Sequence, residues 1–298
     1  MRIRLYGAKH LNTYLSHNFM NYHFYNSMNG PKPTYYSFTT IDIMFRKGVL
    51  PSTTPKYEFK GIRDCLQSVE QALEKCEENP YVIFVLDEPS FLDCFLKSGE
   101  SLLTKSWEAY DPSINHLLIK MESQFHGVAL RAFERVFDAW DMDSHCPLVT
   151  TGRTICRGSS GKKKEPASTW IPRHSGRKWP TVVLEVTYNE TPKKMEENAK
   201  FWLTESSEVA TVLTVEVFKR GRISVKQWNM RGATAVPSQA MEIVRNPAPN
   251  CKKIQGSIRL ALKDIYLRPK RQHETDFVLT PHAMEQIASP IWHTQFGD

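Results

Sequence analysis

The fold of this chain is decided by KKKEPASTWIP (residues 162–172), RKWPTVVLEVTYNET (177–191) and PKKMEENAKFWL (192–203). A basic turn carries a Glu-Pro step, a nearly all-apolar strand follows at 181–188, and a lysine-rich helix opens at Thr191-Pro192. The strand contains one carboxylate, Glu185, and burying a carboxylate is costly unless a partner compensates its charge. The sequence leaves two partners open, a metal ion and a salt bridge.

Length and composition are those of an ordinary globular protein. The chain has 298 residues, of which 41% are hydrophobic and 24% are charged, enough for one large domain or two modest ones. The formal net charge of +7 favours a polyanionic partner. Six scattered cysteines form no CxxC pair and lack zinc-ligand spacing, which is typical of reduced intracellular thiols.

No targeting or membrane signal stands out in the sequence. Residues 1–19 contain no apolar run long enough for a signal peptide, and no segment approaches the roughly 18 to 20 apolar residues of a membrane span. We therefore expect a soluble, intracellular protein with no membrane partner. The run KKK at 162–164 is compatible with nuclear targeting, although three lysines are more typical of a solvated turn.

The order of predicted elements is that of an α/β protein with a mixed central sheet flanked by helices. Residues 1–110 are predicted to form a smaller α/β region, and residues 111–298 the main domain. The first region has a helix at 61–78, a strand at 81–87 and a helix at 91–107. The main domain is predicted to contain, in order, a long helix at 113–141, strands at 148–157, 167–171 and 181–188, a helix from 191, an antiparallel hairpin of strands at 210–218 and 222–230 that turns at Gly221, a loop at 231–252, a strand at 257–267 and a short helix at 281–287.

In this order, the residues resemble the PD-(D/E)XK, or restriction-endonuclease-like, nuclease superfamily, and more narrowly a group of fungal proteins that carry such a domain. The resemblance covers about residues 113–292. It rests on KEPAS (164–168), WPTVVLEV (179–186), KKMEENAKFWL (193–203), YLRP (266–269) and DFVLTPHAMEQIASPIW (276–292). It implies a restriction-endonuclease-like core and a metal-dependent phosphodiesterase site, in which two acids on neighbouring strands hold one or two Mg²⁺ or Mn²⁺ ions.

The chain departs from this pattern at two positions. Ala167 stands where the fungal group would have the metal-binding Asp of KEPDS, and a methyl group cannot bind a metal. Thr187 stands two residues after the second acid, Glu185, where the superfamily often has a lysine. The resemblance therefore implies weakened or absent Mg²⁺ or Mn²⁺ binding. Ala167 is either an engineered change or a natural loss of activity, and the sequence leaves both open.

Other side chains are candidates to complete the catalytic site. Glu165 lies two residues before Ala167, so in an extended strand it would point to the same face, although an exposed Glu paired with a lysine is the alternative. Lys200 is a candidate displaced lysine, with a solvated helix face as the alternative. Glu134 or Glu122 is a candidate metal ligand from the first helix, with a solvated or rim position as the alternative for both. His126 is also expected at that solvated margin.

Cationic residues surround the proposed site and are predicted to contact phosphates, which position a substrate without selecting its sequence. These residues are Lys162, Lys163, Lys164, Arg173, Arg177, Lys178, Lys193, Lys194 and Lys200.

The sequence therefore predicts a metal-dependent nuclease-like protein that acts on DNA or RNA and is inactive or impaired because of Ala167. The alternative is a non-catalytic module that binds nucleic acid or a protein on a degenerate nuclease fold. An effector role for residues 1–110 is a third interpretation, which no motif supports. The sequence has no GxSxG and no plausible Cys/His pair, which argues against the common nucleophile hydrolases. The oligomeric state is left open.

Overall fold

The computed structural model describes residues 45, 48–75, 80–97, 106–121, 123–142, 148–173, 175–177, 179–188, 190–206 and 208–297, without the side chains of 73–75. These residues belong to one compact unit, Thr40–Asp298. Predictions for residues 1–44 lie outside this part of the chain. Within it, no helix combines the length and apolar character needed to cross a membrane.

The described chain contains both helices and strands, and most strands follow one another in runs. Their bounds are β1 (Lys56–Glu58), α1 (Ile62–Lys75), β2 (Tyr81–Val85), α2 (Glu88–Phe91) with a π-helical continuation (Leu92–Lys97), β3 (Trp107–Asp111), β4 (His116–Lys120), α3 (Gln124–Asp141), β5 (Leu148–Thr150), β6 (Cys156–Arg157), β7 (Lys163–Lys164), β8 (Ser168–Pro172), β9 (Val182–Tyr188), α4 (Pro192–Glu205), β10 (Thr211–Val217), β11 (Arg222–Arg231), β12 (Thr234–Val244), β13 (Ile254–Leu260), α5 (Leu262–Tyr266), β14 (Phe277–Leu279) and α6 (Pro281–Phe296).

The described strands form two sheets. The first has the order β1-β2-β4-β3-β7-β6, and the second has the order β14-β13-β12-β11-β10-β9-β8-β5. In the second sheet, β9 and β10 are parallel and are joined through α4, whereas β8 with β9 and β10 with β11 are antiparallel. The prediction of an α/β protein with a mixed sheet is confirmed.

Strand β9 is buried on both faces, and alternation along it separates two cores. Leu184 and Val186 pack in a cluster with Phe133 and Phe137 of α3. Val183 packs instead with side chains of α4, including Trp202. Because side chains of a strand alternate between faces, Glu185 shares the α4 face with Val183.

Helix α4 begins where the sequence predicts. The Thr191 hydroxyl accepts a hydrogen bond from the Lys194 N–H (3.2 Å), and Pro192 occupies the first turn, where no backbone donor is needed. This cap places Lys194 and Trp202 over the β9 face that carries Glu185.

The predicted helix at 113–141 is wrong in its first part. Residues 116–120 form β4, which pairs antiparallel with both β2 and β3, and the helix starts only at Gln124, after the cap residue Ser123. Asn115 adopts a positive φ of 55° in the turn that joins β3 to β4. The apolar run HLLIK fits a helical face and a buried strand equally well, so strand pairing decides its structure.

The predicted loop at 231–252 is also wrong. Residues 234–244 form β12, which pairs with β11 and β13. Pro237 lies opposite Trp228, beside a shift in register, where a missing ladder donor is tolerated. Other elements differ in extent. Residues 148–157 divide into β5 and β6 in different sheets, and α6 runs on to Phe296. The predicted strand at 257–267 is wrong in its second half, because β13 ends at Leu260 and the chain enters the helix α5 after the cap residue Ala261.

The boundary predicted at residue 110 falls inside β3. The first sheet combines β1 to β4 with β6 and β7, so it takes strands from both sides of that boundary. The division into residues 1–110 and 111–298 stays a prediction. The predicted helix at 91–107 covers the π-helical turn but also the start of β3, and its middle lies outside the described residues.

Candidate functional site

A small cavity opens where β8 begins, beside the middle of β9. Ala167 precedes β8, and its N–H donates to the carbonyl oxygen of Leu184, the neighbour of Glu185 (3.1 Å). The structure therefore brings together the predicted positions 165, 167 and 185. The cavity is lined by Glu108, Lys120, His126, Arg153, Glu165, Pro166, Ala167 and Glu185.

The carboxylate of Glu185 has a salt-bridge partner in the structure. Its Oε1 accepts a hydrogen bond from the indole N–H of Trp202 (2.5 Å) and lies 3.2 Å from the ammonium of Lys164. Lys164 is fully buried, and its Nζ is also 5.8 Å from the centre of the Trp202 ring. Of the two partners that the sequence left open, the salt bridge is therefore present.

Glu108 of β3 joins Glu185 into a larger buried ion cluster. The ammonium groups of Lys164 (3.0 Å) and Lys194 both contact its Oε1. Burial alone would raise the pKa of Glu108, but Lys164, Lys194 and Lys120 hold it well below its usual value. Burial alone would lower the pKa of Lys164, but Glu108 and Glu185 raise it. Glu108 and Lys164 are therefore both charged at neutral pH.

Lys194 is held less firmly in its charged form. Burial lowers its pKa, and the neighbouring Lys164 ammonium adds to that effect against the attraction of Glu108. Its Nζ also donates to the side-chain oxygen of Asn198 (2.7 Å). These contacts bind α4 to β3 of the other sheet.

Other residues that line the cavity also form ion pairs. Lys120 Nζ lies 2.6 Å from Glu190 and donates to the carbonyl oxygen of Val186 (3.1 Å), and Arg153 lies 3.3 Å from Glu165. Glu165 therefore lies in the same cavity as Ala167 and Glu185, but its carboxylate is paired with the guanidinium of Arg153.

His126 lines the cavity as a buried, neutral imidazole. Burial, and then the charges of Lys120 and Arg153, lower its pKa well below the usual value. The sequence placed His126 at a solvated margin, and that expectation is wrong because α3 begins at Gln124 and turns this residue inward.

Lowering the pH is expected to destabilise the protein through His126. An unfolded histidine takes up a proton near pH 6.5, whereas the folded His126 is protonated only at a lower pH. The free energy of unfolding therefore decreases as the pH is lowered through about 6.5. The slope for one such group reaches about 1.4 kcal/mol per pH unit. Urea unfolding between about pH 7 and pH 5 should show a flatter dependence for His126→Gln than for the wild type. The exposed His282→Gln is the control, and equal slopes for all three proteins would contradict the prediction.

The lysine run at 162–164 is buried, which corrects the expectation of a solvated turn. Lys162 lies 3.0 Å from Asp111, and Lys163 lies 2.6 Å from Glu88. Lys163 and Lys164 form β7, which pairs with β3, the strand that carries Glu108 and Asp111. These ammonium groups neutralise internal carboxylates, and a phosphate would have to compete with those pairs.

The other predicted phosphate contacts are dispersed. Arg173 and Lys193 are exposed, and Arg177 lies 3.4 Å from Glu208. Lys178 lies outside the described residues, so its predicted role is untested.

Two predicted catalytic residues lie away from the cavity wall. Lys200 is half-buried on α4, and Glu134 of α3 is paired with Arg131 (2.8 Å). Neither is among the residues that line the cavity, and Glu122 falls outside the described residues.

Sequence reasoning missed Glu108, Lys120 and Arg153 as cavity residues. The segment DPSIN at 111–115 is a turn motif, which indicates a hairpin between WEAYD and HLLIK. Reading that hairpin would have placed Glu108 and Lys120 on neighbouring strands. No local pattern marks Arg153.

Neither the models of known protein families nor the curated proteins match this chain. Among the residues that the structure describes, no three His, Cys, Asp or Glu side chains converge as a metal site.

The donor set, as it stands, does not fit the divalent cation that the resemblance implies. Glu185 is occupied by Lys164 and Trp202, Glu165 faces Arg153, and position 167 offers a methyl group. Glu108 Oε2 is buried without a hydrogen-bond partner among the described residues. Lysine and arginine side chains therefore balance the carboxylates of the cavity, and we assign no reaction step to a metal.

Proposed function

We propose that the chain is a nuclease-like protein of the PD-(D/E)XK type, directed at the phosphodiester bonds of nucleic acid, and that Ala167 keeps it inactive. The observation that carries this proposal is the position of Ala167 beside Glu185, at the start of β8 and in the middle of β9, in one cavity. Apart from β6 and β7, which belong to the first sheet, the elements from α3 onward follow the order β5, β8, β9, α4, β10, β11. This order supports the proposal, because the motifs of the resemblance were found in a predicted order of helix, three strands, helix and two strands.

Ala167→Asp is expected to produce metal-dependent cleavage. A carboxylate at position 167 would add oxygen ligands, which Mg²⁺ prefers, to the cavity that Glu185 and Glu108 also line. Charge stabilisation of this kind contributes about 100-fold or more to a rate. Labelled single-stranded DNA, duplex DNA and RNA, incubated with Mg²⁺, Mn²⁺ or chelator, should be cut by the variant with metal and not by the wild type.

Two further variants test whether the gain comes from the proposed pair. Ala167→Asn adds a side chain of similar size without charge, and Ala167→Asp/Glu185→Gln removes the second acid. Neither variant should cleave DNA or RNA with Mg²⁺ or Mn²⁺. A folded Ala167→Asp variant that cuts nothing with either metal would refute the nuclease proposal.

A non-catalytic binding module is the second candidate. The balance of Glu108, Glu165 and Glu185 by Lys164, Lys194 and Arg153 favours it, because this site is compensated without a metal. This candidate predicts that the wild type binds nucleic acid equally well with Mg²⁺ and with chelator. A dissociation constant that depends strongly on Mg²⁺ would argue against it.

A further inference from the structure

Four segments meet at one end of the second sheet, around Gly221. The turn from β10 to β11 is held to the end of β12, because the Arg245 N–H donates to the carbonyl oxygen of Gly221 (3.1 Å). The indole N–H of Trp292, on α6, donates to the same oxygen (2.8 Å). The start of β13 joins through the Val244 N–H, which donates to the carbonyl oxygen of Lys253 (3.0 Å).

This junction gathers cationic side chains, and we call their surface the basic end. Five of these six lysine and arginine side chains are exposed, and the sixth, Arg245, is half-buried. Two carboxylates also reach it, Glu242 at 3.8 Å from Arg222 and Glu285 at 3.2 Å from Lys253. The basic end consists of Lys219, Arg220, Arg222, Arg245, Lys252 and Lys253.

Aromatic rings orient two of these arginines. The guanidinium of Arg222 lies 3.8 Å from the centre of the Phe218 ring, and that of Arg245 lies 4.2 Å from the centre of the Phe296 ring. Stacking occupies the faces of a guanidinium, whereas its N–H edges are the groups that match phosphate oxygens in pairs. An arginine held in this way loses less conformational freedom when it binds.

We infer that the basic end binds the phosphate backbone of nucleic acid without sequence preference. This inference rests on the proposed function. It places the phosphate contacts at the basic end instead of at the lysines at 162–164, because those lysines form ion pairs with carboxylates of the protein. Thr214 is the β10 partner of Glu185, and Phe218 lies four residues beyond it. At about 3.3 Å per residue, Thr214 and Phe218 are about 13 Å apart along the strand. This distance from the level of Glu185 to the basic end corresponds to roughly four base-pair steps of a duplex at 3.4 Å each.

The test is a binding measurement on Arg222→Gln/Arg245→Gln in the full chain. Fluorescence anisotropy with labelled duplex and single-stranded DNA of about 30 nucleotides gives the dissociation constant between about 50 and 200 mM salt. We expect at least about tenfold weaker binding, and a slope of log K against log salt reduced by about 2 for the duplex, because two phosphate contacts are lost.

The matched control is Lys56→Gln/Arg63→Gln, which removes the same charge from exposed positions on β1 and α1. It should change the dissociation constant by less than about twofold. Should the loss of stacking unfold the turn, Arg220→Gln/Lys252→Gln removes two charges and leaves both stacked arginines intact. The same weakening is expected from it.

Equal affinities for the basic-end variants and the control would overturn the inference. So would weaker binding to phosphatidylserine vesicles or to polyglutamate with unchanged binding to DNA. Cleavage by Ala167→Asp combined with unaltered binding by the arginine variants would overturn this surface alone. The expected loss of DNA binding, together with an Ala167→Asp variant that cleaves nothing, would support DNA binding by the basic end and refute only the proposed nuclease activity.

Discussion

Lys164→Met is expected to lower the free energy of unfolding by about 3–5 kcal/mol. Lys164 is fully buried between Glu108 and Glu185, so the change removes a cation and leaves two carboxylates less compensated in the interior. Methionine has a similar length, so little of the loss would come from an empty cavity. Urea unfolding at neutral pH, followed by circular dichroism, measures the change.

The control is Lys97→Met, which breaks an exposed pair with Asp93 (2.7 Å) and should cost less than about 1 kcal/mol. The double variant Lys164→Met/Glu185→Gln should recover part of the loss, because it also removes one uncompensated charge. Equal stabilities of Lys164→Met and the control would show that the buried ion cluster contributes little.

Gly256→Ala is expected to destabilise the protein by about 2–5 kcal/mol. Gly256 in β13 has a φ of +83°, and an added Cβ would overlap the carbonyl oxygen of Ala240 on the paired strand β12. The left-handed conformation costs an alanine about 1–2 kcal/mol, and the collision adds the remainder by pushing the strands apart. Thermal and urea unfolding report the loss.

Gly232→Ala isolates the effect of conformation from that of the collision. Gly232 has a φ of +61°, but an added Cβ there would meet nothing within 4 Å. It should therefore cost only about 1–2 kcal/mol. If the two variants were equally destabilised, the close approach of β13 to Ala240 would not be a constraint on this sheet.

Elements with strong local signals could be predicted from the sequence. The β-branched run at 181–188 forms the buried strand β9, Thr191-Pro192 starts α4, and Gly221, with a φ of +75°, turns β10 into β11. Each of these signals lies within the segment it describes, so no distant contact was needed. The placement of Ala167 near Glu185 was implied by the resemblance to the nuclease superfamily, which puts these two positions on neighbouring strands.

Two strands whose structure depends on pairing with other segments were not predicted, although the turn motif at 111–115 signals the first of them. The run HLLIK became β4 because β2 and β3 flank it, and residues 234–244 became β12 because β11 and β13 supply its hydrogen bonds. The electrostatics of the site had the same origin. Glu108, 56 residues before Lys164 in the sequence, lies 3.0 Å from it in the fold.

The sequence by itself determined the strands and the helix around Glu185 and the absence of a carboxylate at position 167. Only the tertiary structure decided which charges meet there. Burial makes an isolated charge so costly that the chain folds its lysines 162–164 and 194 onto carboxylates, and such pairing depends on proximity in space, which local sequence does not encode.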